Sequence, residues 1–293
     1  MSKMPEGPEV LTIVDQLDFY LSRKELTSIE FISGKYENDY PDKFEEFLEQ
    51  LPLTIEQVFC KGKLIVFELS KKDEKWWIFN SLRMTGCWKF KPDEDHTRLS
   101  MKFNPLKSNG IFDISELFYN DTRGLGTFEF VSDEKEKNSR LDSLAGGFIG
   151  REEYLIDYKT FYNNIKNSKK SMLTNKLTDQ KSICSGIGNY LISEIMYDSG
   201  LHPTTKCNEL DDDDIEKLFE SCSRIIKLSY RLNGMSMRDY VDVYGKKGSF
   251  EQHLKVYGKR GKTDPYGNKV LHMKRSNKQT IWYVPGLQRK KAE

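Results

Sequence analysis

The hydrophobic pattern changes period along this chain, and no single layer of secondary structure accommodates both periods. Within residues 7–21, Val10, Ile13, Val14, Leu17 and Leu21 share one helical face, Pro8 suits the first turn, and Glu9 complements the helix dipole. The stretches 62–70, 75–80, 98–103, 111–119 and 127–131 are instead short and rich in β-branched or aromatic residues. Asn, Asp, Gly and Pro separate them, so they read as strands. Residues 132–140 (SDEKEKNSR) carry no apolar side chain and read as an exposed boundary. Helical spacing then returns at Ile165, Met172, Leu173 and Leu177, and at Leu191, Ile192, Ile195 and Met196 after a glycine-rich turn. The acids Asp211 to Asp214 precede Ile215, Leu218, Phe219, Cys222, Ile225 and Ile226, and suit the start of another helix. After Gly245 the stretches 267–273 and 279–284 read as the arms of a hairpin. The order implies an α+β chain: one helix, a β-sandwich, a helical unit and a terminal hairpin.

At 293 residues with 37% hydrophobic and 12% aromatic side chains, the chain has the material for a sizeable core. No window reaches the run of about 18 apolar residues that a membrane span needs, and the start MSKMPEGPEV has no apolar signal core. A soluble intracellular protein is expected, with no membrane partner. The five cysteines form no C-x-x-C pair and read as reduced, mostly buried thiols. The net charge of +1 hides an asymmetry: residues 246–293 hold thirteen basic against three acidic side chains, and the rest of the chain balances at −9. A basic segment interleaved with Phe250, Tyr257, Tyr266, Ile281, Trp282 and Tyr283 points to a polyanion-binding surface; a merely solubilising tail is the alternative.

The segment Met4-Pro5-Glu6-Gly7-Pro8-Glu9 admits two readings. One is a proline-rich helix start. The other is chemical: a proline that begins a mature chain is a secondary amine, and an α-amino group has a pKa near 8, so a fraction is neutral and nucleophilic at pH 7. Attack on a sugar C1′ would give an iminium ion that keeps its charge without a proton, and Glu6 would supply the acid that opens the sugar ring.

Further stretches occur in order with this one: Gly62-Lys63, Leu82-Arg83-Met84-Thr85-Gly86, Asp121-Thr122-Arg123-Gly124-Leu125-Gly126, Asp179-Gln180-Lys181, Gly186-Ile187-Gly188-Asn189-Tyr190, Glu194, His202-Pro203 and Leu254-Lys255-Val256-Tyr257-Gly258. Together they make the chain resemble the Fpg/Nei family of formamidopyrimidine-DNA glycosylases and endonucleases VIII over residues 4 to about 290. The resemblance implies a β-sandwich domain over 1–136, a helix-two-turn-helix domain over 137–245, and a finger hairpin with a basic tail over 246–293. Damaged DNA, duplex or single-stranded, would lie between the first two.

By the same resemblance Pro5 is the nucleophile, Glu6 the acid and Lys63 a phosphate contact near the damaged nucleotide. Met84, Arg123 and Leu125 match the positions that fill the space left by an extruded nucleotide. Taken alone, Lys63 reads as an exposed strand-start lysine, and Met84 and Leu125 as sandwich residues. Asn189 begins a helix and would offer its amide, beside backbone N–H groups, to a phosphate; an ordinary helix cap is the alternative. Leu125 stands where an aromatic ring is usual, which would weaken the wedge.

The end of the chain departs from the family pattern. Asp264-Pro265-Tyr266-Gly267 and Val284-Pro285-Gly286-Leu287-Gln288 stand where two cysteine pairs of a zinc finger would be. The expectation is therefore a zincless finger with no metal and no cofactor, as in Nei-like members, acting on oxidised pyrimidines and hydantoins by β,δ-elimination. Gln279 replaces the finger arginine before Thr280, with Lys278 or Arg275 as stand-ins. Met1-Ser2-Lys3 precede Met4, and while they remain the Pro5 nitrogen is an amide. Two functions follow: a monomeric bifunctional glycosylase/AP lyase once Pro5 is exposed, or a catalytically inactive binder of damaged or single-stranded DNA.

Overall fold

The computed structural model describes residues 4–105, 114–235 and 242–289. Its first helix, α1 (Gly7–Leu21), has the span expected, and its apolar stripe is buried against β2 and α7 defined below. The next elements are β1 (Glu25–Phe31), α2 (Phe44–Gln50), β2 (Leu53–Lys61), β3 (Leu64–Lys71), β4 (Glu74–Ser81), β5 (Gly86–Lys89), β6 (Thr97–Phe103), β7 (Glu116–Asp121) and β8 (Thr127–Val131). All eight strands belong to one antiparallel sheet in the order β5-β7-β6-β1-β2-β3-β4-β8.

The sandwich is this one sheet folded over. Register shifts between Leu26 and Ser28, Ile55 and Gln57, and Thr97 and Leu99 break the ladders and let it curl. Phe128 on β8 thereby meets Tyr119 on β7 at 5.0 Å, Phe31 on β1 at 5.6 Å and Trp88 on β5 at 6.0 Å between ring centroids.

Four sequence expectations need correction in this half. Residues 62–63 do not open a strand: Lys61 pairs with Leu64, and Gly62 (φ 60°) and Lys63 form the turn between β2 and β3. The strand expected over 111–119 begins at Glu116, and residues 111–113 lie outside the described residues. Helix α2 joins α1 in the β half. The stretch 132–140 contains most of a further helix, α3 (Glu134–Asp142), so the expected boundary at 136 falls inside it. Asp133 caps α3 by accepting from Glu136 N at 2.8 Å, and Arg140 makes a two-pronged pair with Glu129. Only Leu141, just past the stretch, anchors it, over Phe59, Leu64, Val66, Trp77, Phe79 and Val131 on the outer face of the sheet.

The helical unit contains α4 (Tyr158–Asn167), α5 (Leu173–Thr178), α6 (Asn189–Asp198) and α7 (Asp212–Arg231). Asp211 caps α7 by accepting from Asp214 N at 2.9 Å, as the acidic run suggested. The hairpin pairs β9 (Leu271–Lys274) with β10 (Thr280–Tyr283), with Thr280 opposite Lys274 and Trp282 opposite His272. The expected first arm, 267–273, is largely loop.

Two buried side chains knit the finger at the positions compared with cysteine pairs. Asp264 accepts from Tyr266 N (2.9 Å), Asn268 N (2.8 Å), Asn268 Nδ2 (3.0 Å) and Tyr197 Oη on α6 (2.9 Å). Gln288 accepts from Val284 N at 2.7 Å and donates to Leu201 O at 2.8 Å. Each holds its own turn and ties it to the helical unit. Hydrogen bonds to a charged carboxylate are each worth about 1.5–3 kcal/mol. We expect Asp264→Ala to lower the unfolding free energy by about 2 kcal/mol or more, and EDTA to leave the wild-type melting temperature unchanged. A chelator-dependent melting temperature would show that metal, not these side chains, holds the finger.

Candidate active site and nucleic-acid interface

Glu6 precedes α1 in sequence but serves α6 with its side chain. Its carboxylate accepts from Gly188 N at 2.7 Å, Tyr190 N at 2.9 Å and, more weakly, Leu191 N at 3.3 Å. These are amides that a helix leaves without intrahelical partners, and the positive end of the dipole favours an anion there. Gly7 N donates to Gly186 O at 2.8 Å beside it. The junction tolerates no side chain at Gly188, where a Cβ would sit 2.4 Å from Glu6 Cδ, nor at Gly62, where it would sit 2.6 Å from Ser185 Cβ.

Glu9, read above only as a dipole complement, is fully buried and joins three segments. Its carboxylate accepts from Glu6 N at 2.8 Å, Tyr190 Oη at 2.9 Å and Met235 N at 2.7 Å, and Tyr190 Oη lies 3.0 Å from Ser229 Oγ. The spacing Glu6-x-x-Glu9 is the sequence signal, the capping-box pattern. Tyr190 closes the motif that runs from Gly186, but the motif does not give its role: its backbone serves Glu6 and its hydroxyl serves Glu9.

Burial raises the Glu6 pKa to about 7; Lys63 opposes the rise, Glu9 adds to it, and the Tyr190 and Leu191 amides oppose it. Burial likewise lowers the pKa of Lys63, against the pull of Glu6 and Glu9. An acid poised near neutrality beside a lysine suits proton transfer.

Glu6 opens onto a cleft of about 290 Å³ lined also by Met4, Met84, Asn189, Lys278 and Gln279. Pro5 is buried between Met4 and Glu6. Lys63 does not line this cleft but a second groove, close enough to Glu6 for the two charges to act on each other. Met84 and Arg123 meet at one tip, where Arg123 Nη1 donates to Met84 Sδ at 3.1 Å. Asp121 organises that tip: it accepts from Thr85 Oγ1, from Arg123 N at 3.1 Å and from Gly126 N at 2.7 Å. Leu125 is 41% exposed in the same loop and does not line the cleft.

Three expectations change here. The amides of Gly188, Tyr190 and Leu191 at the start of α6 are taken by Glu6 and are not offered to a phosphate. Asn189 Nδ2 donates to Thr280 O at 3.0 Å, binding α6 to the hairpin, and the same side chain hydrogen-bonds Tyr257. Arg275, one of two stand-ins for the finger arginine, turns away: it is buried, donates to Thr174 O at 2.8 Å on α5, and meets Gln279 Oε1 at 3.3 Å. Lys278 faces the cleft instead, and Lys274 joins it there unforeseen. Among the described residues no cluster of His, Cys, Asp and Glu has the arrangement of a metal site, and no helix is long and apolar enough to cross a membrane.

Comparison with known proteins places the chain. Residues 4–128 match the formamidopyrimidine-DNA glycosylase N-terminal domain, and residues 151–241 match the formamidopyrimidine-DNA glycosylase H2TH domain. The formamidopyrimidine-DNA glycosylase of Mycoplasma mobile is 32% identical over 267 residues, covering 89% of this chain and 90% of its own length. That of Carboxydothermus hydrogenoformans is 33% identical over 293 residues, covering 98% and 100%. Among solved structures, Lactococcus lactis Fpg with abasic-site DNA superposes with a TM-score of 0.79 at 26% identity, over 97% of this chain and 100% of that one. A complex of the same organism's wild-type enzyme with DNA containing an oxidised pyrimidine gives 0.79 at 26% identity, over 98% and 100%.

The electrostatics of the junction make a direct prediction. In a carbon-detected NMR titration the Glu6 carboxyl should change protonation at about pH 7. Lys63→Met removes a cation that favours the carboxylate, so the midpoint should move to higher pH. A midpoint in the ordinary glutamate range, or one indifferent to Lys63, would contradict this picture.

Proposed function

The chain belongs to the formamidopyrimidine-DNA glycosylase family, and on that footing we propose that Pro5, once it is the first residue, is the amine that attacks the damaged nucleotide. Membership makes the protein a DNA glycosylase with AP lyase activity in base excision repair, and its partner is damaged DNA. The single observation that carries the finer reading is the placement of Met4 on the wall of the cleft that Glu6 opens onto. A chain shortened to Pro5 would present its amine there, beside an acid that is half protonated near neutrality.

In this reading the Pro5 lone pair attacks C1′, the damaged base leaves with its bonding electrons, and the proton given up by the Pro5 nitrogen neutralises the departing base. Glu6 gives a proton to O4′ as the sugar ring opens, which leaves an iminium ion between Pro5 and C1′. Loss of a C2′ proton then breaks the C3′–O3′ bond, and loss of a C4′ proton breaks the C5′–O5′ bond, so the strand is nicked on both sides. Water finally releases the sugar fragment from Pro5. No step calls for a metal or cofactor.

Lys63, Asn189 and Lys278 would hold phosphates of the damaged strand, with Gln279 at the hairpin tip. Lys278 offers a point charge in place of a two-pronged guanidinium. Met84, Arg123 and Leu125 would enter the stack where the nucleotide leaves, Arg123 facing the opposite base. The two-domain-plus-finger division, with its first boundary moved clear of α3 and its second at 245, and the zincless Nei-like branch belong to the same proposal. From the branch we infer that oxidised pyrimidines and hydantoins are preferred to 8-oxoguanine; faster excision of 8-oxoguanine than of thymine glycol from matched duplexes would overturn that preference.

A second reading, a binder without chemistry, is favoured by one fact: in the chain beginning at Met1 the Pro5 nitrogen is an amide. Borohydride, which reduces an iminium to a stable amine, separates the two. With abasic-site DNA, a version beginning at Pro5 should give a covalent adduct and one beginning at Met1 should not. Absence of an adduct from both would leave the binder.

A further inference from the structure

A groove of about 630 Å³ runs from Lys63 along the outside of the junction, between the β4–β5 loop, α3 and the loop that joins α5 to α6. Lys63, Arg83, Arg140 and Lys181 line it, with Glu129 and Glu136 as its acids. The acids are spent: Glu129 takes Arg140 through two bonds of 2.8 and 3.1 Å, and Glu136 takes Lys43 at 2.6 Å. Arg83 and Lys181 are exposed, and among the described residues neither side chain has an ion pair or hydrogen bond. The groove therefore presents two uncompensated cations, one from each half of the molecule, together with Lys63. Serine hydroxyls of Ser81, Ser139 and Ser143 line it between them.

Arg83 adopts a left-handed backbone (φ 54°), a region that favours glycine and strains an arginine. Its neighbours hold it there: Leu82 is buried, Gly86 N donates to Leu82 O at 3.0 Å, and Thr85 is bonded to Asp121. The strained turn leaves Met84 facing the lesion cleft and Arg83 facing the groove, two adjacent side chains in two compartments.

We propose that this groove is a track for the sugar-phosphate backbone of the damaged strand on one side of the lesion, with Arg83 and Lys181 each holding a phosphate. The inference rests on the DNA glycosylase reading above and adds a second stretch of strand to it. It makes the strand bridge the two halves outside the lesion cleft, with one contact from the β4–β5 loop and one from the helical unit.

The test is the salt dependence of binding to a duplex carrying a stable abasic analogue. Each lost phosphate contact lowers the slope of log K against log salt by about 0.9 on duplex DNA. Arg83→Gln and Lys181→Gln should each lower it by that amount, and the double variant by about twice as much. Lys91→Gln, an exposed lysine outside the groove, should leave the slope unchanged. A neutral methylphosphonate moved along the damaged strand should find a position that weakens the wild type and not the double variant. Wild-type slopes in both variants, with DNA binding and nicking intact, would overturn the track and leave the glycosylase standing. Loss of DNA binding by the wild type itself would overturn both.

Discussion

The carboxylate of Glu6 has to satisfy a helix whose cap residue, Gly188, stands 182 residues further along the chain, and much of the architecture is arranged around that demand. A buried carboxylate without partners is costly, and the amides at the start of α6 are a group of donors that no other backbone satisfies. Bringing them together fixes α1 against the helical unit and excludes side chains from Gly188 and Gly62. Glu9 completes the lock by tying Glu6 N, Tyr190 and Met235 into one carboxylate. The amide bonds only partly offset burial, which is why Glu6 titrates near neutrality and not near 4.5. One contact thus sets both the relation of the two halves and the proton affinity of the acid between them.

The same economy appears in the finger. A short hairpin is marginal alone, and its turns need something to hold them. Here Asp264 and Gln288 fold back on their own loops and reach into the helical unit, through Tyr197 and Leu201. Trp282 packs on Tyr257 at 4.6 Å, and Arg275 pins the hairpin tip to α5. The tip is positioned from both ends, which places Lys278 at the cleft.

Local signals in the sequence reached some of this. Helix α1 was legible because a proline start and a regular apolar stripe coincide over 7–21, and α7 because four acids precede a clear helical period. Helix α3 was not, because its period carries a single apolar side chain, Leu141, and the rest of its anchoring comes from a cap and from ion pairs such as Arg140–Glu129 and Glu136–Lys43. Strands β1 and β2 went unread, their apolar alternation being interrupted by Ser, Thr and Gln and by the register shifts that curl the sheet. The site residues were named by likeness to a family, since Pro5-Glu6, Lys63 and Asn189 are unremarkable one by one. What likeness did not give is who bonds to whom: Glu6 occupying the α6 terminus, Asn189 turned to Thr280, and Arg275 withdrawn into α5 are consequences of long-range packing.

The central claim is that the Glu6 lock delivers the Pro5 nitrogen to the lesion cleft as the reacting amine. Mass mapping of the borohydride-reduced adduct tests it most directly, by finding which peptide carries the sugar remnant after proteolysis. The account places the remnant on the peptide that begins at Pro5, with Lys63 unmodified. A remnant on Lys63, or on Lys274 or Lys278 of the cleft, would contradict it.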